Sequence, residues 1–218
     1  MDLLSLVGIA TKRRGDYFSQ AKALAKKART YEKLETMMEQ EAKVLVNALR
    51  LKQIKWAEYE RSLLDKALIS ALAGVYLGAK SAKPEEKLEK AWPKVVGDML
   101  PPLHDFLNET KKSIDDGDIR IGDETSDFAE NPKSWLGVLS RVIRYIANPA
   151  YSFFNLGQYY VQQEQGFKQM RRVAKLDKRT CPDCINYAQQ GWQPIGSLPM
   201  PGQECRCYDH CRCYIDYR

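Results

Sequence analysis

Leu24–Leu49 reads LAKKARTYEKLETMMEQEAKVLVNAL. Leu24, Ala28, Tyr31, Leu34, Met38, Ala42, Leu45 and Leu49 recur every three or four positions, with Lys and Glu between them. That spacing puts the apolar groups on one stripe of a helix and the charges on the other side. The helical pattern extends from Tyr17 to about Leu77, and no proline interrupts it before Pro84. Asp16, after Gly15, is the predicted cap. The stripe is narrow, which suits a long helix packed on one partner face, either within a bundle or against a neighbouring subunit.

Further helices follow. Pro84-Glu85-Glu86 suits a first turn, with acids at the positive end of the helix dipole. Leu88, Trp92, Val95, Val96 and Met99 continue it. Pro93 predicts a kink or break, and Pro101-Pro102 a stop, because proline offers no N–H and clashes with the preceding turn. His104 reads as a surface or helix-start residue, with a short helix resuming to Ile114. Asp115–Pro132 gathers seven acids and two glycines. It lacks the calcium-loop order and reads as a solvated loop. Ile119-Arg120-Ile121 could form a short strand within it. Ser134–Ala147 is helical again, with Trp135, Leu136, Leu139, Val142, Ile143 and Ile146 inward. Tyr151, Phe153, Phe154, Tyr159 and Tyr160 then form an aromatic cluster, read as core or interface before base stacking. Gln158–Arg172 is the last predicted helix.

The other informative stretch is the C-terminus. All six cysteines lie there: Cys181, Cys184, Cys205, Cys207, Cys211 and Cys213. They read C-P-D-C, a twenty-residue gap, then C-R-C-Y-D-H-C-R-C. Two thiolates two residues apart can converge on one tetrahedral metal, and the layout is near that of zinc ribbons. Structural zinc is the first reading, with three disulfides and then a redox C-x-x-C behind it. The redox reading ranks last because no strand–helix context is evident at Cys181. With His210 there are seven candidate ligands, more than the four of one zinc. One zinc with spare thiols is the simplest count. Cys181 and Cys184 form the safest pair, and Cys207 with Cys211 or Cys213 completes it. Trp192 is expected to pack over the metal turn.

The chain has 218 residues, 44% hydrophobic and 28% charged, with a net charge of +6. These values allow a packed core and do not demand a nucleic-acid partner. Met1–Arg14 does not have the charge order of a secretory leader. The most apolar run, Ala67–Ala79, falls short of the roughly 20 residues a bilayer span needs. A soluble cytosolic product with reduced thiols is expected, and no membrane association. No G-x-S-x-G, phosphate loop or H-E-x-x-H is present, so a non-enzyme is expected. Lys168, Arg171, Arg172, Lys175, Lys178 and Arg179 give a basic approach to the cysteines, which keeps a nucleic-acid-binding zinc module as the alternative.

The expected fold is mainly α: long helices in a bundle-like body, with a small C-terminal Cys-rich, zinc-ribbon-like module. The expected divisions are a long-helix region at 1–82, a helical body at 83–176 with the acidic loop 115–132, and the metal-binding module at 177–218.

Arg179-Thr-Cys181-Pro-Asp-Cys184, then Gly191, a proline-rich loop and Cys211-Arg-Cys213, resembles the C-terminal module of tailed-phage head morphogenesis proteins, the minor head proteins of the Mu F type. Tyr159, Tyr160, Gln163 and Gly166, leading to Lys178-Arg179, also fit that family's approach to its cysteines. The resemblance covers about the last sixty residues. The family has a histidine three residues before its C-R-C; here Tyr208 holds that place, and His210 stands beside Cys211. The resemblance implies a virion component, assembled in the host cytoplasm, that acts in head assembly. Its implied partners are portal, capsid or neck proteins. A homo-oligomeric ring and contact with packaged DNA are also implied.

Overall fold

The computed structural model describes residues 2–80, 82–121, 134–178, 180–207 and 211–218. It is mainly helical, with a small Cys-rich unit at the C-terminus. The helices are α1 (Leu3–Lys12), α2 (Arg14–Ala28), α3 (Tyr31–Arg50), α4 (Trp56–Gly78), α5 (Pro84–Asp115), α6 (Trp135–Ile146), α7 (Pro149–Glu164) and α8 (Pro182–Gln189). Strands β1 (Gln169–Val173), β2 (Gln193–Pro194) and β3 (Tyr214–Tyr217) form one antiparallel sheet with β1 in the middle. No helix of the described residues is long and apolar enough to cross a membrane.

The expected long helix from Tyr17 to Leu77 is three helices. Arg29 takes a left-handed backbone, φ 67°, and ends α2; Thr30 then caps α3 through the amide of Lys33. At the other break Lys52 is left-handed, φ 57°. Lys52 N–H bonds the Leu49 carbonyl and Gln53 N–H bonds that of Ala48. This is a Schellman ending with lysine where glycine is usual. The start of α2 is also earlier than expected: Arg14 opens it, and Asp16 lies in its first turn instead of capping it.

The prolines act differently from expectation too. Pro93, Pro101 and Pro102 all lie inside α5. All three are exposed, while Trp92, Val95, Met99, Leu100 and Leu103 on the other side are buried. The carbonyls that lose their partners therefore face water, and the buried face holds the helix together. His104 sits in mid-helix, half-buried, within reach of the Asn108 amide, and not at a helix start.

The apolar run Ala67–Ala79 becomes the bundle's centre. α4 is buried continuously from Ser70 to Val75 and packs against α2, α3, α5, α6 and α7. Its approach to α7 depends on missing side chains. A Cβ on Gly74 would lie 2.4 Å from the Ala150 carbonyl oxygen, one on Gly78 2.0 Å from that of Phe154, and one on Gly157 2.3 Å from that of Val75. Backbone cannot yield as a flexible side chain can. Gly157→Ala should therefore destabilise the protein by roughly 3 kcal/mol in thermal or urea unfolding, the upper end of overpacking costs, despite alanine's better helix propensity. Gly97→Ala, where an added Cβ meets nothing within 4 Å, should instead stabilise by about 0.5–1 kcal/mol. Equal effects at the two sites would refute this packing account.

α6 begins as expected, with the Ser134 hydroxyl accepting from the Gly137 amide. Its buried residues are Trp135, Val138, Val142 and Ile146, while Leu136, Leu139 and Ile143 are half-buried. The aromatics of α7 are core and contact residues: Phe153 and Tyr160 are buried, and Tyr151 and Phe154 each lie 4.9 Å from the Tyr31 ring. The predicted helix Gln158–Arg172 holds only as far as Glu164. α7 stops at Glu164, Gly166 turns the chain with φ 87°, and Gln169–Val173 is a strand. Ile119–Ile121 forms no strand; Ile119 is buried, and the Arg120 carbonyl accepts from the Trp135 indole. Residues 122–133, most of the predicted acidic loop, lie outside the described residues.

Candidate metal centre

β1 sets up the module. Side chains alternate across a strand, so Met170 and Arg172 point inward while Arg171 points out and pairs with Asp216 at 2.7 Å. Met170 packs with Leu198 and Met200. Arg172, only 1% exposed, enters a cluster of sulfurs.

The C-P-D-C segment is a helix start. Cys181 is the N-cap of α8, its sulfur accepting from the Cys184 amide at 3.4 Å, and Pro182 occupies the first turn. Proline is suited there because that N–H has no helical partner. The expectation that no strand or helix frames Cys181 is thus corrected: β1 precedes it and α8 begins at it. Asp183, in the same turn, accepts from the Arg206 amide at 2.8 Å and so ties α8 to the second cysteine group.

The sulfurs of Cys184, Cys205, Cys207 and Cys211 all lie within 4.8 Å of one another and could bind a metal ion. Cys184 is 3.3 Å from Cys207 and 3.8 Å from Cys211; Cys205 is 3.4 Å from Cys207. Of the pair expected to be safest, Cys184 belongs to this set and Cys181 does not, although Cys181 lies 3.4 Å from Cys207. Cys205 belongs to it too, beyond the expected completion by Cys207 with Cys211 or Cys213. Cys213 is buried in the same cluster. All six cysteines are free thiols. His210 lies outside the described residues.

Arg172, expected in an exposed basic approach to the cysteines, is instead buried among their sulfurs. Its Nη2 donates to Cys211 at 3.1 Å, Cys205 at 3.2 Å and Cys184 at 3.6 Å, and its Nη1 to the Pro199 carbonyl at 3.3 Å. The guanidinium carbon lies 5.0 Å from the centre of the Tyr187 ring. Burial alone would lower its pKa, but the charge on Cys211 and the bond to Cys205 outweigh that, and the net shift is upward. Hydrogen bonds from Cys205 and Cys213 hold the Cys211 thiol far below its ordinary range, with Arg172 adding to the effect. The same bonds, with burial, push Cys205 and Cys213 upward. The arrangement is a buried cation facing a sulfur that favours the thiolate.

No family model matches the chain, and no curated protein or solved structure matches it.

Trp192 does not cover the metal turn. The guanidinium groups of Arg171 and Arg218 lie against its ring instead, 4.7 and 4.4 Å from its centre. Tyr187 packs against the sulfurs in its place. The module is also keyed to the body. The Tyr151 hydroxyl donates to the Cys213 carbonyl, and Tyr159 fills the space beside Gly196, where a Cβ would stand 2.9 Å from its oxygen. A cleft of about 500 Å³ opens between α5, the α6–α7 joint and the loop at Gly202–Glu204, and no cysteine lines it.

Proposed function

We propose that the chain is a structural virion protein of a tailed phage, a minor head or portal-proximal connector protein that acts in head assembly through protein–protein contacts, without catalysis. The observation that carries the reading is the gathering of the resemblance's own residues, Cys181, Cys184, Cys211 and Cys213, into one cluster. That cluster is keyed to a helical body through Tyr151. Its metal is structural zinc. Zinc–sulfur bonds of about 2.3 Å in a tetrahedron place sulfurs roughly 3.8 Å apart, and the spacings of 3.3, 3.4 and 3.8 Å are close to that value. The expected partners are portal, capsid or neck subunits, with the protein itself in a ring. The test is mass spectrometry of purified particles after cross-linking. The protein should be present in modest copy number and linked to portal or neck proteins; its absence from intact particles would end this reading.

The alternative is a zinc module that binds nucleic acid. Lys168, Lys175 and Lys178 are exposed on the approach to the cysteines. Arg172, buried among sulfurs, is not available to phosphate. Filter binding at two salt concentrations separates the readings, because phosphate contacts weaken steeply with salt.

A further inference from the structure

We infer that the module holds two metal ions in one six-thiolate cluster, with Cys184 and Cys207 bridging them. The inference rests on the zinc reading above and extends it.

The first four-sulfur set is Cys184, Cys205, Cys207 and Cys211. Beside it a second group, Cys181, Cys184, Cys207 and Cys213, lines a small cavity of about 10 Å³ together with Lys175, Thr180 and Arg212. That volume is about one water-sized sphere, which is room enough for a bare divalent ion. The two sets share the Cys184–Cys207 edge, whose sulfurs are 3.3 Å apart. Cys181 approaches the shared edge at Cys207, 3.4 Å away.

The ligand count then closes. Two four-coordinate ions that share two ligands use six thiolates, the number of cysteines in the chain. No thiol is spare, and no histidine is required. Thiolates select soft or borderline ions, zinc among the divalent ones. Two divalent ions and six thiolates leave two negative charges, and the surroundings are built for that. Arg172 faces the first set from inside the protein. The positive end of α8 begins at Cys181 and carries Cys184 in its first turn. Arg212 borders the second cavity and is fixed there by Asp177 at 2.6 Å.

The test is the metal content of the full-length protein, purified with zinc and gel-filtered, measured by mass spectrometry alongside thiol titration before and after denaturation. Two zinc ions per chain and no thiol reactive in the native protein are expected. Cobalt(II) titration of the metal-free chain should raise the thiolate charge-transfer absorbance until two equivalents are bound. Cys213→Ser and Cys205→Ser, each removing a ligand of one set only, should each reduce the zinc content from two toward one. One zinc per chain with two thiols reactive in the native state would overturn the bridged cluster and leave the single-zinc reading standing. No bound zinc would overturn both. Two zincs undiminished in Cys213→Ser would overturn the assignment of the second set.

Discussion

Removing the proposed zinc from the purified protein with a strong chelator should unfold β1 and everything after it and leave the helical body intact. The module has little apolar core: Met170, Leu198 and Met200 make one small cluster, and the sulfurs make the other. Units of this size rarely fold without a staple. Structural zinc in comparable small units contributes on the order of 10 kcal/mol, more than those few side chains can replace. Limited proteolysis with mass spectrometry is the measurement. New cuts should appear between Ala174 and Cys181 and between Pro199 and Cys207, while helices α1–α7 gain none. Far-ultraviolet ellipticity should fall only slightly, since α8 has 8 residues. A C-terminus that stays resistant in excess chelator would show that the cluster does not staple the fold.

Arg172→Leu should weaken zinc retention by about 100-fold, equivalent to roughly 2.7 kcal/mol. The side chain fills buried space, so leucine preserves part of the packing but removes the cation. The charge that the metal leaves over would then stand buried without its cation, and part of the about 3–5 kcal/mol that the loss of one partner of a buried pair costs would fall on the affinity. Arg172→Lys should recover part of the loss, because it keeps the charge but not the planar fork that reaches three sulfurs and a carbonyl. Competition with a chromophoric chelator reads the affinity directly. Wild-type zinc retention in Arg172→Leu would reduce this residue to filler.

The helical character of the body was legible because burial on a helix leaves a period of three to four, and Leu34, Met38, Ala42, Leu45 and Leu49 keep it. The breaks were not legible. Arg29 and Lys52 carry left-handed backbone without being glycine, so neither has a compositional mark; the Thr30 cap was the available signal. The prolines of α5 misled for the opposite reason. Proline reports a lost hydrogen bond, but whether that bond faces water depends on the helix's rotation, which a local reading does not supply. β1 escaped detection because one of its two inward residues is arginine, so the alternation of Met170 and Arg172 did not look apolar. Once Met170 is taken as inward, a period of two turns Arg172 to the same side, and a surplus of thiolates calls for a buried cation. Composition located the sulfur cluster. Its membership depends on how β1, α8 and the segment before β3 meet, and no spacing rule contains that.

The glycine contacts of α7 have a mechanical consequence. Its N-terminal half is pressed backbone to backbone on the central helix at Gly74 and Gly78, and Tyr151 and Tyr159 grip the C-terminal module. A pull on the module therefore meets no slack tether. The load passes along α7 into the middle of the bundle, where separating the helices would mean parting α4 from α7 at their glycine contacts.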